Sequence, residues 1–559
     1  MVDNYAIADQ FSLLSKLMDI HGENAFKAKS YSSAAFAIEK LPEQLSALPE
    51  AKIYKMRGIG DSIGKKVMEI VQTGELKVLQ DLIANTPAGV LEMMNIKGLG
   101  PKKINTIWKE MNIDTIEELE EACRDNRIAQ KKGFSEKTQQ KILESIEFVR
   151  KNHGLFLYKQ LEDFAQAMQQ KLEQKFRDDQ TVITGEFRRQ MEVISKLEWV
   201  TTATKEALKH YLTNDQVELK TESDDLLIFC AENMMEMYFH LTEEESFAST
   251  LLRTSSSEEF FTAWQTFSQT KNASSEEQLF KEAGLSYIPP YRREKKSVLD
   301  KAGNENFEDI VQTSSIKGLI HSHSNWSDGA YPIEQMADEL IRLGFEYLVI
   351  SDHSKSAYYA NGLNEERIKE QHKHIDELNK KLFPFRIFKS IECDILGDGT
   401  LDYDDEILKT FDLVITSIHS NLDMDEEKAM MRLMGAITNP YTTILGHMTG
   451  RLLTRRKGYP VDHKAIINAC AVHNVVIEIN ASPSRLDMDW RWIEYALERG
   501  VLLSINPDAH SLEEFHYVKY GTLVAQKGGL PTSSNLSSYS LKQFEDFLQE
   551  TKQIKGLVK

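Results

Sequence analysis

The spacing of hydrophobic and polar positions divides the chain into regions with different expected structures. Over residues 1–150 the apolar positions recur every three or four residues, and short glycine-containing turns interrupt them, which is typical of consecutive amphipathic helices. Residues 151–292 mix helical patterns with strand-like runs such as TVITGEF, QVELK and DLLIFC. We therefore predict a helical region followed by a mixed α/β domain.

A regular alternation marks the C-terminal part of the chain. Between residues 318 and 535, short apolar runs such as YLVISDH, LVITSIH and VLLSINPDAH are separated by helical segments. This alternation predicts a parallel sheet or barrel, in which the carboxyl ends of the strands carry the active site. Residues 293–317 are charged and poorly periodic, which favours a linker, and residues 536–559 are predicted to form a helical tail. The expected fold class is multidomain α/β.

The composition is that of a globular protein with several domains. The chain has 559 residues, of which 41% are hydrophobic and 27% charged. No N-terminal segment resembles a secretory signal, and no apolar run approaches the roughly 20 residues that span a bilayer. Cys123, Cys230, Cys393 and Cys470 lie far apart, which argues against a disulfide framework or a cysteine zinc site. We expect a cytoplasmic protein with no membrane partner.

The charge is unevenly distributed. A net charge of −19 would disfavour binding to nucleic-acid phosphates if it were spread over the whole surface. Residues 1–150, however, hold 21 Lys and Arg against 22 Asp and Glu, so nearly all the acidic excess lies beyond them. Nucleic acid therefore remains possible as a partner of the helical region.

Nine potential metal ligands lie at or just past the ends of predicted strands in the C-terminal domain. On a strand, two residues that are two positions apart point to the same side, as is expected for His321 with His323. A lone histidine at a strand end usually has a structural role, but nine aligned by chance are improbable. Imidazole and carboxylate together suit Mn²⁺ or Zn²⁺, with Fe²⁺ as a further option, and nine such groups are enough for more than one ion. The set is His321, His323, Asp328, His353, Glu392, His419, His447, Asp508 and His510.

The helical region contains a degenerate repeat. GIGDSIGKKVMEI, GLGPKKINTIW and GFSEKTQQKIL begin 40 and 35 residues apart. Glycines permit a tight turn and expose backbone N–H groups at a helix N-terminus, where phosphate is favoured, and lysines follow at once. A single such turn is weak evidence, whereas three copies with trailing lysines look like helix-hairpin-helix motifs, a resemblance that implies contacts with the DNA backbone. The residues are Gly58, Gly60, Lys65, Lys66, Gly98, Gly100, Lys102, Lys103, Gly133 and Lys137, with Ser135 replacing the second glycine of the third copy.

Six C-terminal motifs resemble the PHP domain, named for polymerase and histidinol phosphatase. They are HSHSNWSDG, SDHS, IECDI, SIHS, GHMTGR and NPDAH, in this order. The resemblance implies a distorted (β/α)7 barrel that binds up to three metal ions and hydrolyses phosphoesters, with all nine ligand positions filled. Leu319 departs from the family, which usually has an Asp there. Arg451 and Arg485 are candidates for binding substrate phosphate, because a guanidinium matches two phosphate oxygens; a surface ion pair is the alternative for each.

The N-terminal motifs look like helix-hairpin-helix motifs, which bind DNA without reading its sequence. In addition, AFKAKSYSSAAFAIEKL resembles the N-terminal domain of family X DNA polymerases, TGEFRRQMEVISKLEWV resembles their palm motif, and YIPPYRRE resembles the end of their core. Bacterial members of that family carry a PHP domain at the C-terminus. The resemblance makes Lys66 a candidate for forming a Schiff base with an abasic sugar. A lysine that contacts phosphate without covalent chemistry is the alternative.

The polymerase site itself departs from the family. Where the family has two Asp one residue apart, this chain has Lys196 and Glu198, and we assign the third Asp position to Glu218. A lysine among metal ligands repels the cation, and two-metal nucleotidyl transfer needs a carboxylate cluster. Glu186 replaces a serine, and TEEESFAS would repel a triphosphate. We predict a degenerate polymerase core; a local misalignment, with Asp215, Asp224 or Asp225 serving instead, is the alternative.

The predicted function is a repair or end-processing nuclease acting on gapped, nicked or 3′-ended DNA. The family resemblance implies 3′-to-5′ exonuclease activity, with abasic-site cleavage or 3′-phosphate removal as variants. Three alternatives stay open: a small-molecule phosphatase of the histidinol-phosphatase type, a non-catalytic DNA-binding adaptor, and, least favoured, an active polymerase. Protein partners and oligomeric state are open as well, a monomer among the options.

Overall fold

The computed structural model describes residues 2–39, 41, 43–56, 59–213, 217–231, 235–268, 273–303 and 307–558. The chain forms two compact units, Met1–His153 and Gly154–Lys559. Among the described residues no helix combines the length and the apolar character needed to cross a membrane. The four cysteines are free thiols, in agreement with their separation in the sequence.

The first unit is built from helices around one apolar core. Two of its hairpin turns lead directly into helices, with Gly60 as the N-cap of α4 and Gly100 as the N-cap of α7. In the third turn Ser135 is the N-cap of α9, and its side chain accepts a hydrogen bond from the Thr138 N–H. The helices are α1 (Asn4–His21), α2 (Ala25–Glu39), α3 (Glu50–Ile53), α4 (Asp61–Thr73), α5 (Lys77–Ala84), α6 (Ala88–Met93), α7 (Pro101–Asn105), α8 (Ile116–Arg124) and α9 (Glu136–Asn152).

The second unit begins with a five-stranded sheet of mixed direction. Its strand order is β2-β4-β7-β6-β5, with β4 and β7 parallel and the other neighbours antiparallel. The strands are β2 (Thr181–Thr184), β4 (Lys196–Thr201), β5 (Val217–Glu222), β6 (Leu226–Ala231) and β7 (Glu236–Leu241), and β1 (Phe156–Leu157) pairs with β3 (Val193–Ile194). Helices α10 (Tyr158–Lys175), α11 (Gly185–Arg188) and α12 (Lys205–Leu212) belong to the same part of the chain.

A small helical cluster follows this sheet. It consists of α13 (Phe247–Thr254), α14 (Glu258–Phe267), α15 (Glu276–Glu282) and α16 (Lys296–Lys301). Helix α16 lies within the stretch 293–317 that we predicted to be a linker, yet its Val298 and Leu299 are buried against the cluster. This part of the predicted linker packs against the helical cluster because its few apolar residues lie on one face of α16.

Seven parallel strand positions then close into a barrel. The strands are β8 (Gly318–Ser322), β9 (Tyr347–Ile350), β10 (Arg386–Lys389) continued by β11 (Glu392–Asp394), β12 (Ile415–Ser417), β13 (Ile444–Leu445), β14 (Val476–Asn480) and β15 (Leu503–Asn506). They pair in two arrays, β10-β9-β8 and β11-β12-β13-β14-β15. Parallel bridges between Ser322 and Ala509 and between His353 and Glu392 join the arrays. This is the distorted (β/α)7 architecture that the motifs implied.

Helices surround the barrel and close one end of it. They are α17 (Ile333–Leu343), α18 (Glu365–Leu382), α19 (Asp405–Leu408), α20 (Glu426–Thr438), α21 (His463–His473), α22 (Ile493–Glu498), α23 (Val518–Gly528) and α24 (Leu541–Ile554). At the amino-terminal ends of the strands, Phe544 of α24 stacks on Tyr347 with ring centroids 4.5 Å apart. Gly318 is required there, since a Cβ would lie 1.9 Å from the Tyr347 ring. The predicted tail is thus part of the barrel core.

Candidate metal centre

The nine predicted ligands converge at the open end of the barrel. Each lies near the end of a strand or in the segment after it, with Glu392 at the junction of β10 and β11, because parallel strands bring their carboxyl ends to one face. Ligand atoms of His323, Asp328, His353 and His510 lie within 4.8 Å of one another. The same holds for His321, His323, Glu392 and Asp508, and for His353, Glu392 and His419.

Glu392 is at the centre of the cluster. Its two oxygens lie 3.0–3.6 Å from a nitrogen of each of five imidazoles, those of His321, His323, His353, His419 and His447. The carboxyl group is buried, which raises its pKa, but the neighbouring imidazoles of His419, His321 and His353 hold that pKa well below its usual value. A carboxylate in this position can contact more than one cation.

Buried nitrogen atoms without partners support a cation site. Among the described residues His321 Nε2, His323 Nδ1, His353 Nδ1 and His447 Nδ1 make no hydrogen bond, and neither does Glu392 Oε2. His353 Nδ1 and Glu392 Oε2 lie 3.0 Å apart, but not in hydrogen-bonding geometry. Burial and the charges of His510 and His353 lower the pKa of His323 to about 3, so its ring is neutral and can donate a lone pair. Unpaired buried polar atoms are costly, and divalent ions would satisfy them.

Two ligands adopt left-handed backbone conformations. His321 has φ +64° and Asp508 has φ +54°, a region that non-glycine residues rarely occupy. The pairing of β8 with β9 shifts register between Leu319 and Ser322, so the simple alternation expected for His321 and His323 does not hold. Both side chains are nevertheless fully buried in the cluster. Such strain at a site is stabilised by the surrounding contacts.

Carboxylates behind the ligands orient them, and our sequence analysis did not single these out. Glu478 accepts a hydrogen bond from His321 Nδ1 at 2.6 Å, and Asp394 accepts one from His419 Nδ1 at 2.5 Å. Asp352 accepts from both Ser324 and Ser327, which hold the loop that precedes Asp328. Partners of this kind set the tautomer and the direction of a ligand ring.

The sequence contains indications of two of these carboxylates, Glu478 and Asp394. Glu478 interrupts the otherwise apolar run VVIEIN, and such a charge in a buried strand requires a partner. Asp394 stands two positions after Glu392, so strand periodicity places both carboxylates on one side.

The two candidate arginines differ in their surroundings. Arg485 lies at the edge of the cluster, with its Nε 3.8 Å from Asp508 Oδ2 and about a fifth of its side chain exposed. The guanidinium of Arg451 donates to the carbonyls of Arg485 and Leu486 and, at 2.7 Å, to Asp489. Arg451 therefore holds the loop that carries Arg485, and its own nitrogens are engaged by protein acceptors.

The polymerase-like position of the five-stranded sheet holds an ion pair. Lys196 Nζ lies 3.4 Å from Glu198 Oε2, which also lies 3.0 Å from His240 Nε2. Lys196 Nζ also sits 4.1 Å from the ring centroid of Tyr238. Burial raises the pKa of Glu198, but His240 and Lys196 hold it below its usual value. The lysine ammonium thus occupies the place next to the carboxylate where a cation would bind.

The assignment of Glu218 to this site is wrong. Glu218 is exposed on edge strand β5, and β7 and β6 separate β5 from β4. The residue opposite Glu198 on the neighbouring strand is Tyr238, which carries no charge that could bind magnesium. Of the alternatives, Asp224 is fully exposed at the turn between β5 and β6, with Asp225 next to it, whereas Asp215 lies outside the described residues.

The hairpin residues lie on the surface of the first unit where described. Lys65, Lys102 and Lys137 are exposed, and Lys66 and Lys103 are half-buried. Gly98 and Gly133 have φ +90° and +95°, a conformation that favours glycine and turns the chain into the following helix. Gly58, the corresponding residue of the first copy, lies outside the described residues.

Comparison with known proteins agrees with this architecture. Residues 2–76 match the family model of a helix-hairpin-helix domain, residues 90–147 a SAM-like helix-hairpin-helix tandem, and residues 320–482 the PHP domain. The fold and the convergent cluster thus define a PHP-domain protein with helix-hairpin-helix motifs.

The particular family follows from a relative that matches over nearly the full length. A Bacillus subtilis protein named DNA polymerase/3′-5′ exonuclease PolX is 33% identical over 555 residues, which cover 95% of this chain and 97% of that protein. The chain belongs to the bacterial family X DNA polymerases that carry a C-terminal PHP domain. A probable phosphatase of Thermoanaerobacter sp. is 26% identical over 250 residues, 42% of this chain and 94% of that protein. One from Caldanaerobacter subterraneus is 28% identical over 207 residues, 34% and 74% respectively.

Proposed function

We propose that the protein is a metal-dependent nuclease that removes nucleotides from 3′ ends of gapped or nicked DNA, with the barrel as its catalytic domain. The convergence of nine imidazoles and carboxylates, several of whose buried nitrogens lack a hydrogen-bond partner, carries this proposal. The similarity to a Bacillus subtilis protein named as an exonuclease supports the reaction class. Helix-hairpin-helix matches support DNA as the partner.

The predicted ligands divide into overlapping groups. His323, Asp328, His353 and His510 would hold one divalent ion, and the groups that share Glu392 would hold one or two more. Ions held there would neutralise phosphate charge and ease the deprotonation of an attacking water. Mn²⁺ and Zn²⁺ both suit this donor set, and Fe²⁺ is a further option.

The protein's own groups would position the phosphoester. Arg485, at the edge of the cluster, is proposed to bind a non-bridging phosphate oxygen, since its guanidinium can donate two hydrogen bonds. Arg451 would act by holding the Arg485 loop through two backbone carbonyls. Hydrolysis would proceed by direct attack of water, without a covalent enzyme intermediate.

We further propose that the polymerase-like sheet does not transfer nucleotides. Lys196 and Tyr238 stand where metal-binding carboxylates are needed, and only Glu198 offers one. Glu243, Glu244 and Glu245, all exposed in the segment just before α13, would repel a triphosphate.

One assay tests both proposals. A 5′-labelled primer on a gapped template is incubated with Mn²⁺, with or without the four nucleotides, using the wild type and His323→Ala. Shortening that the substitution abolishes is the expected result. Lengthening that depends on nucleotides would refute the silent polymerase site, and an intact primer in every reaction would refute the nuclease.

The relatives named as phosphatases favour a second candidate function. Their similarity covers only about two fifths of this chain or less, so phosphomonoester hydrolysis is a property to measure in the full-length protein. A higher kcat/KM on small phosphomonoesters than on DNA 3′ ends would favour this candidate.

Lyase chemistry at Lys66 is a separate proposal from the family resemblance. Borohydride trapping on abasic DNA would yield a covalent adduct that Lys66→Ala removes and Lys65→Ala retains. If both variants form the adduct, Lys66 only contacts phosphate.

A further inference from the structure

Two exposed tyrosines stand at the tip of the loop that follows His353. In this loop, residues 354–362, the side chain of Tyr358 is 86% exposed and that of Tyr359 is 56% exposed. Their ring centroids are 6.1 Å apart and the ring planes are 77° from parallel. Large aromatic side chains with this exposure next to a catalytic cluster indicate a binding surface.

The loop is held in place by its own backbone and by neighbouring residues. The N–H groups of Ala360 and Gly362 both donate to the Ala357 carbonyl, at 2.9 and 3.1 Å, and Ala357 is fully buried. Ser356 donates its backbone N–H and its hydroxyl to the two carboxylate oxygens of Asp402. The tyrosines are therefore presented on a fixed support, which lowers the conformational entropy lost on binding.

The loop borders the metal centre on two sides. It begins directly after His353, and the Asn361 amide donates to the carbonyls of Trp326 and Ser327, which precede Asp328. Burial and the charges of Asp394, Glu392 and Asp328 raise the pKa of Tyr359 to about 12, while Arg485 acts in the opposite direction. Tyr359 thus lies within electrostatic reach of both the ligand carboxylates and the arginine proposed to bind phosphate.

We propose that Tyr358 and Tyr359 form a stacking subsite for the nucleobase attached to the phosphate being cleaved. This inference rests on the proposed nuclease function and names how its substrate is held. A phosphate at the cluster leaves its base within one nucleotide's length of the ligands, and Tyr358 and Tyr359 are exposed in the loop that follows one of those ligands, His353. Stacking on a tyrosine accepts every base, as an exonuclease requires, and contributes about 1–3 kcal/mol per base.

The test uses full-length variants and two DNA substrates. Tyr358→Ala, Tyr359→Ala and the matching Phe variants are assayed with Mn²⁺ on duplexes with a recessed 3′ end, terminated by a normal nucleotide or by a base-free sugar. Phe383→Ala is the control, since Phe383 is also 86% exposed but lies before β10, at the opposite end of the barrel.

We expect each Ala variant to lose about tenfold to a hundredfold in kcat/KM on the normal end, mainly through KM, and the Phe variants to stay near wild type. On the base-free end the Ala variants should equal the wild type. Quenching of 2-aminopurine at the 3′ terminus, measured with Mn²⁺ on an end whose terminal phosphoester linkage resists hydrolysis, should weaken in the same variants. Equal losses on both substrates would make the loop merely structural, and no loss on either would indicate a protein-binding surface; both results overturn the proposal.

The outcomes separate this inference from the proposed function. If the wild type hydrolyses neither DNA substrate, the nuclease proposal fails, and tyrosine-dependent quenching still decides whether the base stacks. If hydrolysis occurs but quenching is the same in Tyr358→Ala, in Tyr359→Ala and in wild type, only the stacking subsite fails.

Discussion

Replacing Glu478 with Gln should weaken metal binding without changing any ligand. The carboxylate is fully buried and accepts four hydrogen bonds: from His321 Nδ1 at 2.6 Å, the His447 N–H at 3.1 Å, Asn480 at 2.9 Å and Asn506 at 2.8 Å. Each oxygen accepts two of them. A glutamine keeps one oxygen, so two donors lose their acceptor whichever way its amide is turned.

Both orientations of the amide disturb a ligand. If its NH₂ faces His321, the imidazole must carry its proton on Nε2, the nitrogen 3.4 Å from Glu392 and 3.5 Å from Asp508, and that nitrogen can no longer bind a cation. If its NH₂ faces the other way, the backbone N–H of His447 loses its acceptor. Loss of such an orienting group typically weakens metal affinity tenfold to a hundredfold, about 1.4–2.7 kcal/mol.

Competition with a fluorescent zinc chelator measures this affinity. Glu276→Gln is a matched control, because Glu276 is equally buried but pairs with Arg188 and Arg293 far along the chain from the cluster. The control should lower thermal stability and leave metal affinity unchanged. If Glu478→Gln binds zinc within twofold of wild type, the argument that Glu478 directs His321 is refuted.

Three further outcomes are expected. Chelation should lower the melting temperature of the barrel, because ions at a thousand times their Kd stabilise by about 4 kcal/mol; an unchanged calorimetric trace would contradict this. The double substitution of Lys65 and Lys66 by Ala should reduce the slope of log K for DNA binding against log salt concentration by about two. Lys52→Ala, which breaks an ion pair with Glu43, should leave this slope unchanged. Burial lowers the pKa of Lys527 to about 8 although Glu294 opposes this. Between pH 8 and about 10 this side chain therefore carries fewer protons in the folded state than in the unfolded chain. The free energy of unfolding rises with pH over this range, and this gain is lost as the pH falls through 8. The free energy of unfolding of Lys527→Met, measured with urea at pH 7 and pH 9.5, should rise less between these two pH values than that of the wild type.

The sequence by itself determined the classes of structure and the identity of most groups at the barrel site. Helical periodicity, strand–helix alternation and polar residues at strand ends are local properties, because side-chain direction repeats every 3.6 or every 2 residues. For the same reason the six motifs indicated one convergent cluster: carboxyl ends of parallel strands meet wherever a barrel closes. The hairpin glycines were also recognisable in the sequence, since a tight turn before a helix depends on local chemistry.

Only the tertiary structure decided which residues are opposite one another. Strand order put Glu218 at a sheet edge and Tyr238 beside Glu198, and no spacing along the chain contains that information. The tertiary structure also brings the Arg451 guanidinium into hydrogen bonds with carbonyls of a loop 34 residues away, and it leaves Arg485 at the edge of the cluster. Pairings between distant segments depend on register and packing of the whole domain, which local periodicity does not specify.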